Sequence, residues 1–437
     1  MLKTKSVSFY TLGCKLNFSE TSTIGRQLAD IGFTKTQFEK KADLYVINTC
    51  SVTEKANREC GRIIRKAKRI SPNSIVVVTG CYAQLKPETI AEISGVDMVL
   101  GAKEKFNLPK LLYNINKKQT EKIHGCEIDN LDYHSSFSLN DRSRSFLKIQ
   151  DGCDYPCTYC TIPLARGKSR CDSIENIVEM AENIAKNNIK EIVLTGVNIG
   201  EFEDKNDGRN FATLLKELEQ VNGIERYRIS SIEPNLITEE IIAFVKKSEK
   251  FMPHFHIPMQ SGSDIILGKM KRRYNTKLYR NKIQSITKAI PNVCIGADVI
   301  VGFPGETEEE FDKTLHFIKD LPISYLHVFT FSERENTDAI HFNGVVNKQQ
   351  RGLRSKRLRI LSEKLQRNFN QKNLLSEQTA LFEKENKEGF LYGFTENYIR
   401  VKIPFSKKYV RKTLKIKLIS FDKKTNVLSE ILSNNNH

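Results

Sequence analysis

The chain has 437 residues, long enough for two or three domains, and its 39% hydrophobic and 9% aromatic content supports buried cores and argues against wholesale disorder. No run nears the roughly 20 apolar residues of a membrane span, and Met1-Leu2-Lys3-Thr4-Lys5 lacks the apolar core of a signal peptide, so a cytoplasmic protein is expected. A formal net charge of +17 and a pI near 9.3 point to a polyanionic partner or to a well-solvated lysine-rich surface.

The first third alternates β-rich runs (residues 7–11, 44–48 and 75–79) with helical stretches (20–31, 54–70 and 87–93), the pattern of a parallel sheet covered by helices. Residues 116–143 are polar and without period, as suits a linker. From Phe146 the alternation resumes, with strands expected at 146–150, 191–195, 227–231, 255–259, 296–301 and 325–330. Helices are expected between them at 174–187, 211–221, 238–247, 277–289 and 308–319. Six β-α steps suit a partial barrel, with an open doubly wound sheet as the alternative. Residues 351–373 form a long basic stretch whose Leu358, Leu361 and Leu365 mark one helical stripe. Short β runs at 389–394, 398–403 and 413–420 predict a small antiparallel barrel. Residues 407–417 interleave six cations with β-formers, the pattern of a strand with a basic face over an apolar one. The expected organisation is an α/β domain over 1–115, a linker over 116–143, a partial barrel over 144–372 and a β-barrel over 373–437.

Ten cysteines without a secretion signal argue for metal or redox chemistry rather than a disulfide scaffold. The sharpest signal is Asp151-Gly152-Cys153-Asp154-Tyr155-Pro156-Cys157-Thr158-Tyr159-Cys160, three thiols at C-x3-C-x2-C directly after a strand. On a tight loop they can converge on a four-iron cubane with one iron left free of protein sulfur, which a cluster needs if it is to bind and reduce a small molecule. The alternative is a three-cysteine zinc site with a remote fourth ligand, although no histidine follows at zinc-finger spacing.

A second triad is dispersed. Cys14, Cys50 and Cys81 each follow one of the three strands of the first domain, and in a parallel sheet the carboxyl ends of strands share one edge. They form a second three-thiol site, or else are small buried hydrophobes. Cys60, Cys126, Cys171 and Cys294 have no partner at ligand spacing and read as ordinary buried or loop residues.

Polar residues after the barrel strands are further candidates, because that edge hosts the site in β/α barrels. They are Thr195, Gly196 and Asn198 after the second strand, Ser231 and Glu233 after the third, Gln260 after the fourth and Asp298 in the fifth. Glu233 suits an ammonium or a ribose hydroxyl, and Gln260 and Asp298 suit polar parts of a cofactor. Thr307 with Glu310 reads as a helix N-cap after the turn at Gly302-Phe303-Pro304-Gly305. Arg272, Arg273 and Arg334 are candidate anion contacts or simply solvated surface arginines.

The cysteine loop, with Tyr159 before its last cysteine, resembles the signature of the radical S-adenosylmethionine (SAM) superfamily. With Gly13-Cys14-Lys15-Leu16-Asn17, Ser19-Glu20, Asn48-Thr49-Cys50, Gly80-Cys81-Tyr82-Ala83-Gln84 and Gly302-Phe303-Pro304-Gly305-Glu306-Thr307, nearly the whole chain resembles the methylthiotransferase family of these enzymes. The resemblance implies a partial six-strand barrel and a terminal RNA-binding barrel of the TRAM type. It implies two [4Fe–4S] clusters, a radical-generating one on Cys153, Cys157 and Cys160 and an auxiliary one on Cys14, Cys50 and Cys81, with Tyr159 near the adenine of SAM. One SAM would methylate a sulfur of the auxiliary cluster. A second would be cleaved to a 5′-deoxyadenosyl radical that removes a substrate hydrogen, so that methylthio can be installed. An electron donor such as a flavodoxin or ferredoxin is implied. Thr11-Leu12-Gly13-Cys14-Lys15-Leu16-Asn17 looks most similar to the branch acting on N6-threonylcarbamoyladenosine beside the anticodon of tRNA. Branches acting on N6-isopentenyladenosine or on a ribosomal-protein aspartate are the alternatives, and a non-catalytic iron–sulfur or RNA-binding protein is the alternative of another class.

Overall fold

The computed structural model describes residues 5–51, 54–115, 121–125, 127–128, 131–139, 143–422 and 426–432, so Cys126 lies outside the described residues. The first layer runs β1 (Lys5–Thr11), α1 (Lys15–Asp30), β2 (Phe33–Thr36), β3 (Leu44–Thr49), α2 (Glu54–Ile70), β4 (Ile75–Gly80), α3 (Cys81–Leu85), α4 (Pro87–Ala91), β5 (Met98–Leu100), α5 (Leu108–Ile115) and β6 (Ile123–His124). Its strands form one sheet in the order β2-β1-β3-β4-β5-β6, with every pair parallel. β3 is buried along its whole length, as parallel strands covered on both faces must be. The sheet has twice the three strands expected, because β2, β5 and β6 are too short to show a period of two. β6 lies within the stretch read as a linker, where pairing with β5 overrides a polar composition.

The central unit runs β7 (Arg144–Lys148), β8 (Gln150–Asp151), α6 (Ile162–Arg166), β9 (Arg170–Cys171), α7 (Ile174–Lys186), β10 (Glu191–Thr195), α8 (Phe211–Glu219), β11 (Arg226–Ile229) and α9 (Glu239–Lys247). It continues through β12 (His254–His256), α10 (Asp264–Lys269), α11 (Thr276–Ala289), β13 (Cys294–Val301), α12 (Glu308–Lys319), β14 (Tyr325–Thr330) and α13 (Lys348–Lys372). Two parallel three-stranded sheets, β7-β10-β11 and β12-β13-β14, are joined by single parallel bridges at Tyr227–Phe251 and Ser231–His256. The seam is thin because Pro253 and Pro258 bracket β12 and cannot donate to a ladder. The result is the six-strand partial barrel that the β-α rhythm implies. Asn210, Thr238, Asn275 and Thr307 cap four of its helices through side-chain oxygens. α1 lies against β7, with Phe18 edge-on to Phe146 at 5.7 Å and the Arg26 guanidinium 4.1 Å from the Phe137 ring centre. Among the described residues no helix is long and apolar enough to cross a membrane.

The last unit, β15 (Glu377–Lys387), β16 (Phe390–Thr395), β17 (Arg400–Pro404), β18 (Thr413–Phe421) and β19 (Val427–Ile431), closes as β15-β16-β17-β19-β18. It is not wholly antiparallel, since β17 and β19 run parallel. Strand direction cannot alternate all the way round a closed ring of five, so one pair must break the rule. The basic run 407–417 is not a single strand either. Lys407–Tyr409 is a helical turn, Arg411 has φ +59°, and only Lys415 and Lys417 of the six cations reach β18. The β16–β17 turn caps the amino-terminal end of the central barrel, where Arg228 Nη1 and Nη2 donate to the carbonyls of Glu396 and Thr395 at 2.9 and 2.7 Å.

Candidate functional site

β1, β3 and β4 end at one edge of the first sheet, and the residues that follow place Cys14, Cys50 and Cys81 side by side at a single cavity. Two glycines make this approach possible. A Cβ on Gly13 (φ +100°) would stand 2.7 Å from Cys50 Cβ and 2.9 Å from its Sγ, and one on Gly80 (φ +96°) 2.4 Å from the Thr49 carbonyl oxygen. Asn17 ties the loops together, donating to the carbonyls of Leu12 and Thr49 at 2.9 and 2.8 Å.

Facing this edge is the loop after β7, whose Cys153, Cys157 and Cys160 line the same cavity, of about 420 Å³. Gly152 (φ +73°) leaves no room for a side chain, since a Cβ would fall 1.9 Å from the Lys168 carbonyl oxygen. β8 and β9 pair across the base of the loop. Gln150, which carries no motif signal, holds both strand ends: its Nε2 donates to the Gly152 carbonyl at 2.8 Å, and its Oε1 accepts from the Val197 and Asn198 amides at 2.8 and 3.0 Å. A Cβ on Gly196 would meet that Oε1 at 2.8 Å.

Of the other residues predicted for the site, Tyr159, Gly196, Asn198, Ser231, Glu233, Gln260 and Asp298 line the cavity. Thr195 does not. It is buried at the end of β10, where its carbonyl accepts from the Ile149 amide at 2.9 Å. Gln260 takes φ +62° and pairs with Val299, placing it at the rim beside Asp298. Asp298 accepts from His256 at 3.0 Å and His327 at 3.2 Å. Burial alone would raise its pKa, but these two partners hold it well below the usual carboxylate range.

The arginines divide. Arg273 stays at the surface, its guanidinium 4.0 Å from the Tyr155 ring centre. Arg334 lines the cavity. Arg272 is not a solvated surface residue: its side chain is buried, bonds Cys157 Sγ at 3.0 Å and Tyr159 Oη at 3.4 Å, and forms an ion pair with Glu233. Burial raises the pKa of Glu233 although Arg272 opposes it.

Burial also pushes the Cys153 and Cys160 thiols up to about 12, and raises Cys157 and Cys81 against the pull of Arg272 and Arg166 respectively. Thiols in such surroundings are neutral on their own. Holding them as thiolates requires a bound cation, and three soft sulfur donors on each side of one cavity fit iron–sulfur clusters. Cys60, Cys171 and Cys294 are buried and line no described cavity.

A buried ionic network that sequence reasoning missed locks the two triads together. Glu20, fully buried on α1, meets Lys105 at 2.7 Å, Arg166 at 3.0 Å and Lys148 at 3.6 Å. Arg166 reaches on to Asp151 at 2.8 Å and Asn17 at 2.7 Å, so one guanidinium joins both cysteine loops. Burial alone would raise the pKa of Glu20, but Arg166, Lys105 and Lys148 hold it at about 2. Its partners lie 85 to 146 residues away in sequence, beyond the reach of any local pattern.

Residues 6–101 match an uncharacterised protein family, UPF0004, and residues 147–318 match the radical SAM superfamily. The chain is 38% identical over 430 residues to the threonylcarbamoyladenosine tRNA methylthiotransferase MtaB of Bacillus subtilis (strain 168), covering 95% of this chain and 94% of that one. It is 32% identical to the tRNA-2-methylthio-N(6)-dimethylallyladenosine synthase of Syntrophus aciditrophicus (strain SB), over 91% of this chain and 86% of the other. In fold it resembles the radical SAM methyltransferase TsrM of Kitasatospora setae, with a TM-score of 0.56 at 14% identity over 74% of this chain and 73% of that one.

Proposed function

The chain belongs to the radical SAM methylthiotransferase family, and we propose that it converts N6-threonylcarbamoyladenosine beside the anticodon of tRNA to the 2-methylthio derivative. The observation that carries this reading is the pairing of two cysteine triads across one cavity. The substrate follows the greater similarity to the threonylcarbamoyladenosine enzyme than to the dimethylallyladenosine one.

In this reading Cys153, Cys157 and Cys160 hold one [4Fe–4S] cluster, and Cys14, Cys50 and Cys81 hold a second. Bound there, each cluster would offer an iron free of protein sulfur, one to bind and reduce SAM and the other to carry the sulfur for insertion. The substrate C–H bond has no acidity that a side-chain base could exploit, which is why radical chemistry is needed. No histidine stands among the described residues lining the cavity, which disfavours a zinc site completed by imidazole.

The chain's own groups have separable roles. Arg272 braces the cluster loop against Glu233, tying that loop to the end of the third barrel strand. Glu233, Ser231, Gly196, Asn198, Gln260 and Asp298 form the polar rim for SAM, with Tyr159 as its aromatic wall. Gln150 keeps the loop at Gly196 tight enough for backbone to approach the cofactor. The excess of lysine and arginine meets the tRNA phosphates, with the terminal barrel as an RNA-binding module. A flavodoxin or ferredoxin supplies the electron, and the reaction takes place in the cytoplasm.

The test is nucleoside mass spectrometry of tRNA treated with the anaerobically reconstituted enzyme, SAM and a reductant. The 2-methylthio-N6-threonylcarbamoyl nucleoside is expected. Its absence, with 2-methylthio-N6-isopentenyladenosine formed in the same digest, would overturn the substrate assignment.

A further inference from the structure

A second chamber of about 310 Å³ lies inside the central barrel and shares Cys14 with the cysteine cavity. A single water takes about 30 Å³ in the liquid, so the space holds a small organic group. Its walls include Phe146, and its far end is closed by Tyr398 from the β16–β17 turn. The chamber is cationic. Lys15, Arg144 and Arg228 all line it. Arg144 and Arg228 share the carboxylate of Glu191, at 3.5 and 3.0 Å, and Arg144 also has the half-exposed Glu383 at 3.7 Å. Lys15 lines the chamber with an exposed side chain, and no hydrogen bond or ion pair joins it to any described residue.

His254 forms part of the chamber wall. It is 6% exposed, lines the chamber, stacks on Tyr398 at 4.3 Å and has Nε2 3.0 Å from the Tyr325 hydroxyl. Its Nδ1 has no partner. That nitrogen is itself buried, so His254 contributes its ring to the wall of the chamber rather than a free polar atom. An unpaired ammonium flanked by two further cations in one chamber is a complementary receptor for an oxyanion.

We propose that this chamber receives the carboxylate of the threonylcarbamoyl arm through Lys15, and so selects adenosines with an acidic N6 arm over those with an apolar one. This rests on the substrate reading above. C2 and the N6 substituent leave the purine six-membered ring at meta positions. A base presenting C2 to the cysteine cavity therefore sends its arm to one side, and the chamber adjoins that cavity at Cys14. An isopentenyl arm in this chamber would cover Lys15 without pairing it, and sites built to hydrogen-bond a polar group discriminate strongly against analogues that lack it. Arg144 and Arg228, held by Glu191 and by the terminal barrel, add to the positive field without needing to touch the ligand.

The experiment compares three anticodon stem-loop RNAs with the reconstituted holoenzyme. They carry N6-threonylcarbamoyladenosine, its threonine methyl ester and N6-isopentenyladenosine. The acid is expected to exceed the ester in kcat/KM by about ten- to hundredfold, the range for a hydrogen bond to a charged group. Lys15→Gln is expected to lower turnover of the acid by that factor and so to collapse the acid-to-ester ratio toward one. A loss that merely disturbed the neighbouring Cys14 would reduce both substrates alike. Equal turnover of acid and ester by the wild type, or an unchanged ratio in Lys15→Gln, would overturn the inference while leaving the substrate reading intact. Methylthiolation of the isopentenyl RNA alone would instead overturn the substrate reading.

Discussion

Replacing Glu20 by Gln isolates the electrostatic part of the tie between the first sheet and the barrel. The amide keeps the shape of the side chain but removes the charge that faces Lys105, Arg166 and Lys148. Among the described residues, Asp151 alone would then balance those three cations and Arg170. The drop in pKa from 4.5 to about 2 corresponds to about 3 kcal/mol of stability at neutral pH. Breaking one partner of a buried ionic network typically costs about 3–5 kcal/mol, which is of the same order. Because the native-state pKa is depressed, this stability is fully present above about pH 4.5 and is lost as pH falls toward 2. Glu20→Gln should therefore lower the urea midpoint at pH 7 by about 1 M, for a slope of about 3 kcal/mol per M. The gap between variant and wild type should narrow as pH is taken below 4.5. Urea titrations of the purified protein at pH 7 and pH 4, followed by circular dichroism, measure both effects. A midpoint within about 0.3 M of wild type at pH 7 would refute the reasoning, since it would mean that the network is solvated or rearranges freely.

Three further outcomes are expected. Cys157→Ala should abolish formation of 5′-deoxyadenosine, and Cys50→Ala should retain it while losing methylthio insertion; deoxyadenosine assays and nucleoside mass spectrometry would expose the assignment as wrong if Cys50→Ala still inserted sulfur. Gly13→Ala, whose methyl would stand 2.7 Å from Cys50 Cβ at φ +100°, should lose about half the reconstituted iron yet keep uncoupled SAM cleavage. Full iron content by chemical analysis would count against the close approach of those loops. Arg272→Met should raise the KM for SAM by about tenfold or more, because Glu233 would be left buried without its cation. An unaltered KM in deoxyadenosine assays would remove Arg272 from the positioning of that rim.

Chain order and periodicity made the central barrel legible in advance. All six of its strands lie within a few residues of their expected positions, because β-rich runs of five or six residues separated by capped amphipathic helices leave few alternatives. The β12 boundary slipped because two prolines interrupt its ladder. Strands of two to four residues, such as β2, β5 and β6, carried no readable signal, because pairing with a sheet already present is what makes them strands. β15 and β19 were missed as well, and the parallel β17–β19 pair follows from closing an odd ring rather than from any feature of either segment.

The cysteine spacing and the positions of the cysteines after strands are local facts, and the sequence by itself determined from them the chemistry to look for and the edge of each sheet on which to look. Tertiary structure alone decided that both triads face one cavity. It also decided that Arg272 is buried against Cys157 rather than solvated, that Glu20, Arg166 and Asp151 join the two cysteine loops, and that Lys15 and His254 share a chamber closed by Tyr398. The physical reason is distance along the chain. A hydrophobic period or a metal-ligand spacing is written over a few residues, where backbone geometry fixes who meets whom. A buried charge is stabilised by partners that only long-range packing delivers, here over separations of more than a hundred residues.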